Sequence, residues 1–156
     1  MSLRGRIIRL IHPVRLLYWR IAKPERYGVK VMAFDEAGRV LLVRHNYGRS
    51  DLWMLPGGGI NRNEDDASAA ARELKEETAL EAQDLKLFGR YLSELEAKRD
   101  HVALFTCRVK GELVIDGKEI AEAQFFALDA LPETISTATN ARIMDWKSGR
   151  KRSTKW

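Results

Sequence analysis

Glu73, Glu76 and Glu77 fall within the run Arg72-Glu73-Leu74-Lys75-Glu76-Glu77, related by i, i+3 and i+4. On a helix that spacing projects three carboxylates from one side within a single turn. Like charges so close repel and raise one another's pKa values, and a hard divalent cation such as Mg²⁺, which prefers oxygen ligands, relieves the conflict. Taken alone, an E-x-x-E-E run reads more readily as a solvated acidic face. Its context decides otherwise. Immediately upstream, Trp53-Met54-Leu55-Pro56-Gly57-Gly58-Gly59 forms a glycine loop that leads into the same helix, and glycines let a backbone approach a ligand closely. Loop and carboxylates therefore share a site, with Gly57, Gly58, Gly59, Trp53 and Arg44 as candidate substrate-binding residues.

Residues Gly58 to Leu80 resemble the Nudix hydrolase family, whose box reads G-x5-E-x7-R-E-U-x-E-E-x-G-U with U a bulky aliphatic residue. Gly58, Glu64, Arg72, Glu73, Leu74, Glu76, Glu77 and Leu80 match with every spacing intact. Ala79 departs, standing where the family has its second glycine. That glycine normally follows the helix in a left-handed conformation, which costs a non-glycine residue about 1–2 kcal/mol. The departure bears on how the helix ends and leaves every carboxylate in place.

The resemblance implies a Mg²⁺-dependent hydrolase, with Mn²⁺ as a substitute, that cleaves a pyrophosphate bond by attack of water at phosphorus. By box position, Glu76 and Glu77 are the principal metal ligands, with Gly58 beside them, and Glu73 is a further ligand or the base that accepts the water's proton. Arg72 orients a box glutamate, and Glu64 anchors the loop and helix start. Some family members recruit another carboxylate from the loop before the strand that precedes the last helix. Glu119 and then Glu122 are the candidates for that role, against the plainer reading of exposed loop charges. His45 and His101 read as structural or exposed.

The substrate is expected to be a nucleoside diphosphate linked to another moiety, with Tyr47, Trp53, Tyr91 or Phe105 as stacking partners for a base or as core residues. An RNA 5′ end is the alternative, favoured by the net charge of +5 and the basic ends; it would make binding steeply salt-dependent. A catalytically silent nucleotide-sensing module is opposed by the complete set of box carboxylates.

The elements that must position this chemistry can be read from periodicity. Val29, Val31 and Ala33 share a strand face, Asp35 to Arg39 turn, and Val40 to His45 return, which makes a hairpin. A short strand is expected at Trp53–Leu55. Asn63 is expected to cap a helix running to Thr78, with Ala67, Ala70, Ala71, Leu74 and Thr78 as its packing stripe. Further strands are expected near 85–92, 101–109 and 124–127, and a helix from Leu131 to Trp146 behind Pro132. Periodicity reaches only mixed α and β; the family resemblance implies an α/β fold, the Nudix-type α/β/α sandwich with a mixed β-sheet.

Length, 156 residues, suits one domain of ordinary size. Residues 1–23 read as an amphipathic helical segment, 24–147 as the hydrolase domain and 148–156 as a basic tail. Arginines interrupt the apolar run from Leu3 to Ile21 too often for a transmembrane span or a signal peptide. That segment is expected to dock on the domain or form a homodimer, with membrane-surface binding as the competing role. The tail has little to bury and is expected to fray. Cys107 is the sole cysteine, so an intrachain disulfide is excluded and a cytoplasmic location is expected.

Overall fold

The computed structural model describes residues 25–93, 99–115, 117–150 and 153–156; the expected N-terminal helix lies outside them. Strands β1 (Glu25–Phe34) and β2 (Val40–His45) are followed by helix α1 (Asp66–Thr78), strands β3 (Glu81–Ser93), β4 (Arg99–Lys110) and β5 (Ile120–Phe126), and helix α2 (Thr137–Ser148). The five strands form one sheet in the order β3-β4-β1-β2-β5. The β1–β4 pair is parallel and the others are antiparallel, so the sheet is mixed.

Alternation along the strands divides the core in two. Val29, Val31 and Ala33 of β1 join Ala103, Phe105 and Cys107 of β4 on the face covered by Ala69, Ala70 and Leu74 of α1. Met32 and Phe34 point the other way, packing with Leu42, Leu104 and Ile143 of α2. Helices thus cover both faces of the sheet, the expected sandwich.

The β1–β2 hairpin forms as its sequence predicts. Asp35 Oδ1 accepts from Arg39 N at 2.8 Å and Gly38 takes φ 74°, a conformation open to glycine without strain. Beyond Phe34 and Val40 the two strands separate, and the glycine-loop segment fills the gap. Val31 N donates to Pro56 O at 3.0 Å, Val29 N to Gly58 O at 2.9 Å, and Val43 N to Met54 O at 2.9 Å. The strand expected at Trp53–Leu55 is only this bridge at Met54 and another from Trp53 to Ile135.

Four expectations are corrected. Asp65, not Asn63, caps α1: its side chain accepts from Ser68 N, while Asn63 takes φ 64° in the preceding turn. Ala67 is exposed and Ala69 takes its place in the buried stripe. Helix α2 begins at Thr137, capped by Ser136, because Ile135 is held beside Trp53 and keeps 131–135 out of the helix. The frayed tail is replaced at Ser153–Trp156 by docking on β3. Leu92 N donates to Thr154 O at 2.8 Å and Trp156 N to Leu92 O at 2.9 Å, with the Trp156 ring 5.7 Å from Tyr91. Trp156 supplies the apolar surface that the rest of the tail lacks.

Candidate metal and hydrolytic site

Helix α1 delivers the acidic side chains. Its C-cap is Ala79 at φ 60°, ψ 0°, whose N–H donates to Lys75 O; the left-handed turn made by the family's glycine is kept although the residue is alanine. Ala70 and Leu74 are buried against the sheet, and the helix turns Glu73, Glu76 and Glu77 toward the glycine loop. These three and Glu119 line one cavity of about 290 Å³.

The four carboxylates sit in different surroundings. Glu77 is 6% exposed and its Oε2 accepts from Gly57 N at 2.9 Å. Burial pushes its pKa up to about 7, against the opposing pull of Lys30 and of the Gly57 N–H. Glu73 is held at 2.7 Å by Arg72 Nη1, which also reaches Glu76 at 3.1 Å. Arg72 Nε meets Glu64 Oε1 at 2.8 Å and Arg72 Nη2 meets Gly59 O at 3.0 Å. One guanidinium therefore ties the loop, the helix start and two cavity carboxylates together, and its fixed fork suits that task better than an ammonium would. Glu64 also accepts from Asn61 N at 2.9 Å, and the Arg72 bond, chiefly, holds its pKa below the usual carboxylate range.

The glycines are explained by close approach. A Cβ at Gly58 would lie 2.5–2.9 Å from the Glu73 carboxylate, and one at Gly57, with φ 135°, would lie 2.2 Å from Val29 O. Gly58 O is occupied by Val29 N. At the opposite rim, Asn46 fastens the loop that carries Glu119: Asn46 Nδ2 donates to Gly117 O at 2.9 Å and Lys118 O at 3.1 Å, and Asn46 N to Glu119 O at 2.9 Å. Tyr47, 59% exposed, stands close enough for the charges of Glu119, Glu77 and Glu73 to help burial raise its pKa.

The donor set is all oxygen and, with Glu77 costly to ionise unaided, it fits a hard divalent cation. Among the described residues no three of these side chains stand at the spacing of a shared ion, and Arg72 bonds both Glu73 and Glu76.

The NUDIX domain pattern matches residues 24–147. The chain belongs to the Nudix hydrolase family. Among its Nudix relatives, an NAD-capped RNA hydrolase NudC of Vibrio vulnificus is 29% identical over 121 residues, 78% of this chain and 46% of that one. The chain thus spans less than half of that relative's length. An ADP-ribose pyrophosphatase of Methanocaldococcus jannaschii is 32% identical over 120 residues, 74% of this chain and 71% of the relative. A MutT Nudix hydrolase structure from Burkholderia pseudomallei has a TM-score of 0.70 at 22% identity, covering 78% of this chain and 97% of that one; it supports the fold.

Within this Nudix chain the remaining sequence candidates are dispersed. Glu122 lies on β5 and meets Arg44 Nη2 at 2.6 Å, away from the cavity lining. The Arg44 guanidinium lies 5.3 Å from the Trp53 ring, and Trp53 is core, edge-on to Phe126. Tyr91 and Phe105 are core as well, which leaves Tyr47 as the exposed aromatic of the four. His101 stacks on Tyr27 at 4.8 Å. His45 is buried, and burial lowers its pKa. Cys107 is buried and its thiol is pushed up to about 12, which makes it a poor nucleophile. Sequence reasoning missed Asn46 and Lys30. No spacing rule marks either one; each acts on carbonyls brought near by the return of a loop.

Proposed function

We propose that this Nudix chain is a divalent-metal-dependent pyrophosphohydrolase that cleaves the diphosphate of a nucleoside diphosphate linked to another moiety, by attack of water at phosphorus. The observation that carries this reading is the convergence of Glu73, Glu76, Glu77 and Glu119 on one cavity beside the glycine loop. Mg²⁺, or Mn²⁺ in its place, would neutralise diphosphate charge and make a bound water acidic enough to attack. Glu76, Glu77 and Glu119 supply its oxygen donors. Glu73, fixed on one oxygen by Arg72, keeps its second oxygen to accept the water's proton. Tyr47 at the rim offers an open face to a base. The likeness to an NAD-capped RNA hydrolase and to an ADP-ribose pyrophosphatase supports a diphosphate with a nucleoside on at least one side.

The likeness to an NAD-capped RNA hydrolase also supports a second reading, an RNA 5′ end as substrate. The experiment is a panel of nucleotide conjugates and 5′-capped or triphosphorylated RNA, incubated with Mg²⁺ or Mn²⁺ in heavy-oxygen water. Label should enter a phosphate product, and Glu76→Gln should lower turnover by about 100-fold or more. Near-normal turnover of that variant at saturating Mg²⁺, or label confined to a product without phosphorus, would refute the mechanism. Steep salt dependence of binding would select the RNA reading.

A further inference from the structure

The middle of β1 holds one charged side chain, Lys30, between Val29 and Val31. Its Nζ donates to Leu55 O at 2.9 Å and to Gly57 O at 3.0 Å. Those carbonyls belong to the segment lodged between β1 and β2, which the backbone already ties down through Val31 N to Pro56 O and Val29 N to Gly58 O. The backbone bonds use carbonyls 56 and 58, and Lys30 takes the alternate ones, 55 and 57. All four carbonyls from 55 to 58 are thereby engaged, which fixes the rotation of every peptide plane in the segment. The 56–57 peptide, whose N–H belongs to Gly57, points that N–H at Glu77 Oε2, 2.9 Å away. Gly57 itself has φ 135°, a conformation in which no side chain restrains the backbone.

Val29 and Val31 are explained by the core they join; a lysine between them is not. Methionine would fill the same space without placing an ammonium inside the fold, where burial lowers the pKa against the pull of Glu77 and Glu73. The cost is balanced by what the ammonium holds. We propose that Lys30 is a positioning residue of the hydrolytic site: by clamping the carbonyls of Leu55 and Gly57 it fixes the peptides on either side of the one that Val31 N holds through Pro56 O, and so steadies the Gly57 N–H against Glu77 and that carboxylate in its metal-binding pose. This rests on the metal-dependent reading above for its role in turnover, and on the hydrogen bonds alone for the clamp.

Lys30→Met in the full chain separates the two. In metal-free protein, amide exchange at Gly57 should speed up about tenfold relative to wild type while the amides of β4 keep their protection. Mn²⁺ affinity, read from the paramagnetic resonance of the free ion at pH 8, should weaken about tenfold, as removal of groups that orient ligands does, and kcat should fall with little change in KM. Unchanged exchange at Gly57, or Mn²⁺ affinity that is unchanged or tighter, would overturn the proposal; tighter binding would mean that Lys30 acts only as a repelling charge. If no substrate is turned over by either protein, exchange and Mn²⁺ binding still decide on the clamp while the hydrolytic reading falls. Should the variant fail to fold, the wild type supplies the answer. A Lys30 ammonium resonance protected from water exchange supports the clamp, and one exchanging like a surface lysine refutes it.

Discussion

Glu77→Gln should stabilise the metal-free protein above neutral pH, by an amount that depends on pH in a defined way. Glu77 is buried with one hydrogen bond from Gly57 N, and its pKa rises from 4.5 to about 7 on folding. Between those values the folded chain keeps a proton that the unfolded chain has released, so stability falls as pH rises, by about 1.4 kcal/mol per unit. Above about 7 both states are ionised and the loss levels off. The full difference corresponds to about 3 kcal/mol, an upper figure because Lys30 titrates in the same field. Glutamine keeps the acceptor for Gly57 and carries no charge, so the variant lacks this slope. Urea unfolding of both proteins in chelator at pH 5, 6, 7 and 8 measures it: the variant should gain on wild type from pH 5 to 7 and hold its lead at 8. Mg²⁺ should then narrow the gap at pH 8, because binding to the folded state alone adds stability to the wild type. A difference that stays flat from pH 5 to 8 would refute the buried, desolvated Glu77 on which the site's electrostatics depends.

Ala79→Gly should raise stability by about 1 kcal/mol, a few degrees of melting temperature by calorimetry, with hydrolysis unchanged, because Ala79 is held at φ 60°; a lower melting temperature would mean the αL turn is not strained. Gly58→Ala should leave folding nearly intact yet lower hydrolysis about tenfold or more, since its Cβ would displace the Glu73 carboxylate; steady-state rates beside a melting curve check both halves. Removing Ser153–Trp156 should cost about 2 kcal/mol by urea unfolding, from two lost backbone bonds to Leu92 and uncovered surface on Tyr91; a truncation as stable as the full chain would show that the docked tail contributes nothing.

What could be read from the sequence was what local spacing determines. The glutamates, the hairpin turn at Asp35–Arg39 and the end of α1 at Ala79 all depend on residues within one or two turns of each other. The N-cap was misplaced by two residues because Asn63 and Asp65 are both competent caps, and only the αL turn at Asn63 decides between them. Helix α2 starts late because Ile135 pairs with Trp53, a contact across more than eighty positions that periodicity cannot see. Lys30 looks, in a strand, like an ordinary outward residue. Its partners exist only once the glycine loop has folded back between β1 and β2. Trp53, Tyr91 and Phe105 show the same limit, since an aromatic residue reads the same in sequence whether it faces a ligand or the core.

The guanidinium of Arg72, bonded to both Glu73 and Glu76, has a consequence for ion choice. An arriving Na⁺ or K⁺ offers these carboxylates no more charge than the arginine already provides, and without its directed hydrogen bonds. A divalent ion brings twice the charge at short oxygen distances and can draw Glu76, the more exposed partner, away from Arg72. In a metal-dependent site, discrimination between monovalent and divalent ions would then be set by competition with a resident side chain, without a rigid cage of matched size. Glu73 would keep its own arginine contact, so such an exchange would leave its carboxylate where it was.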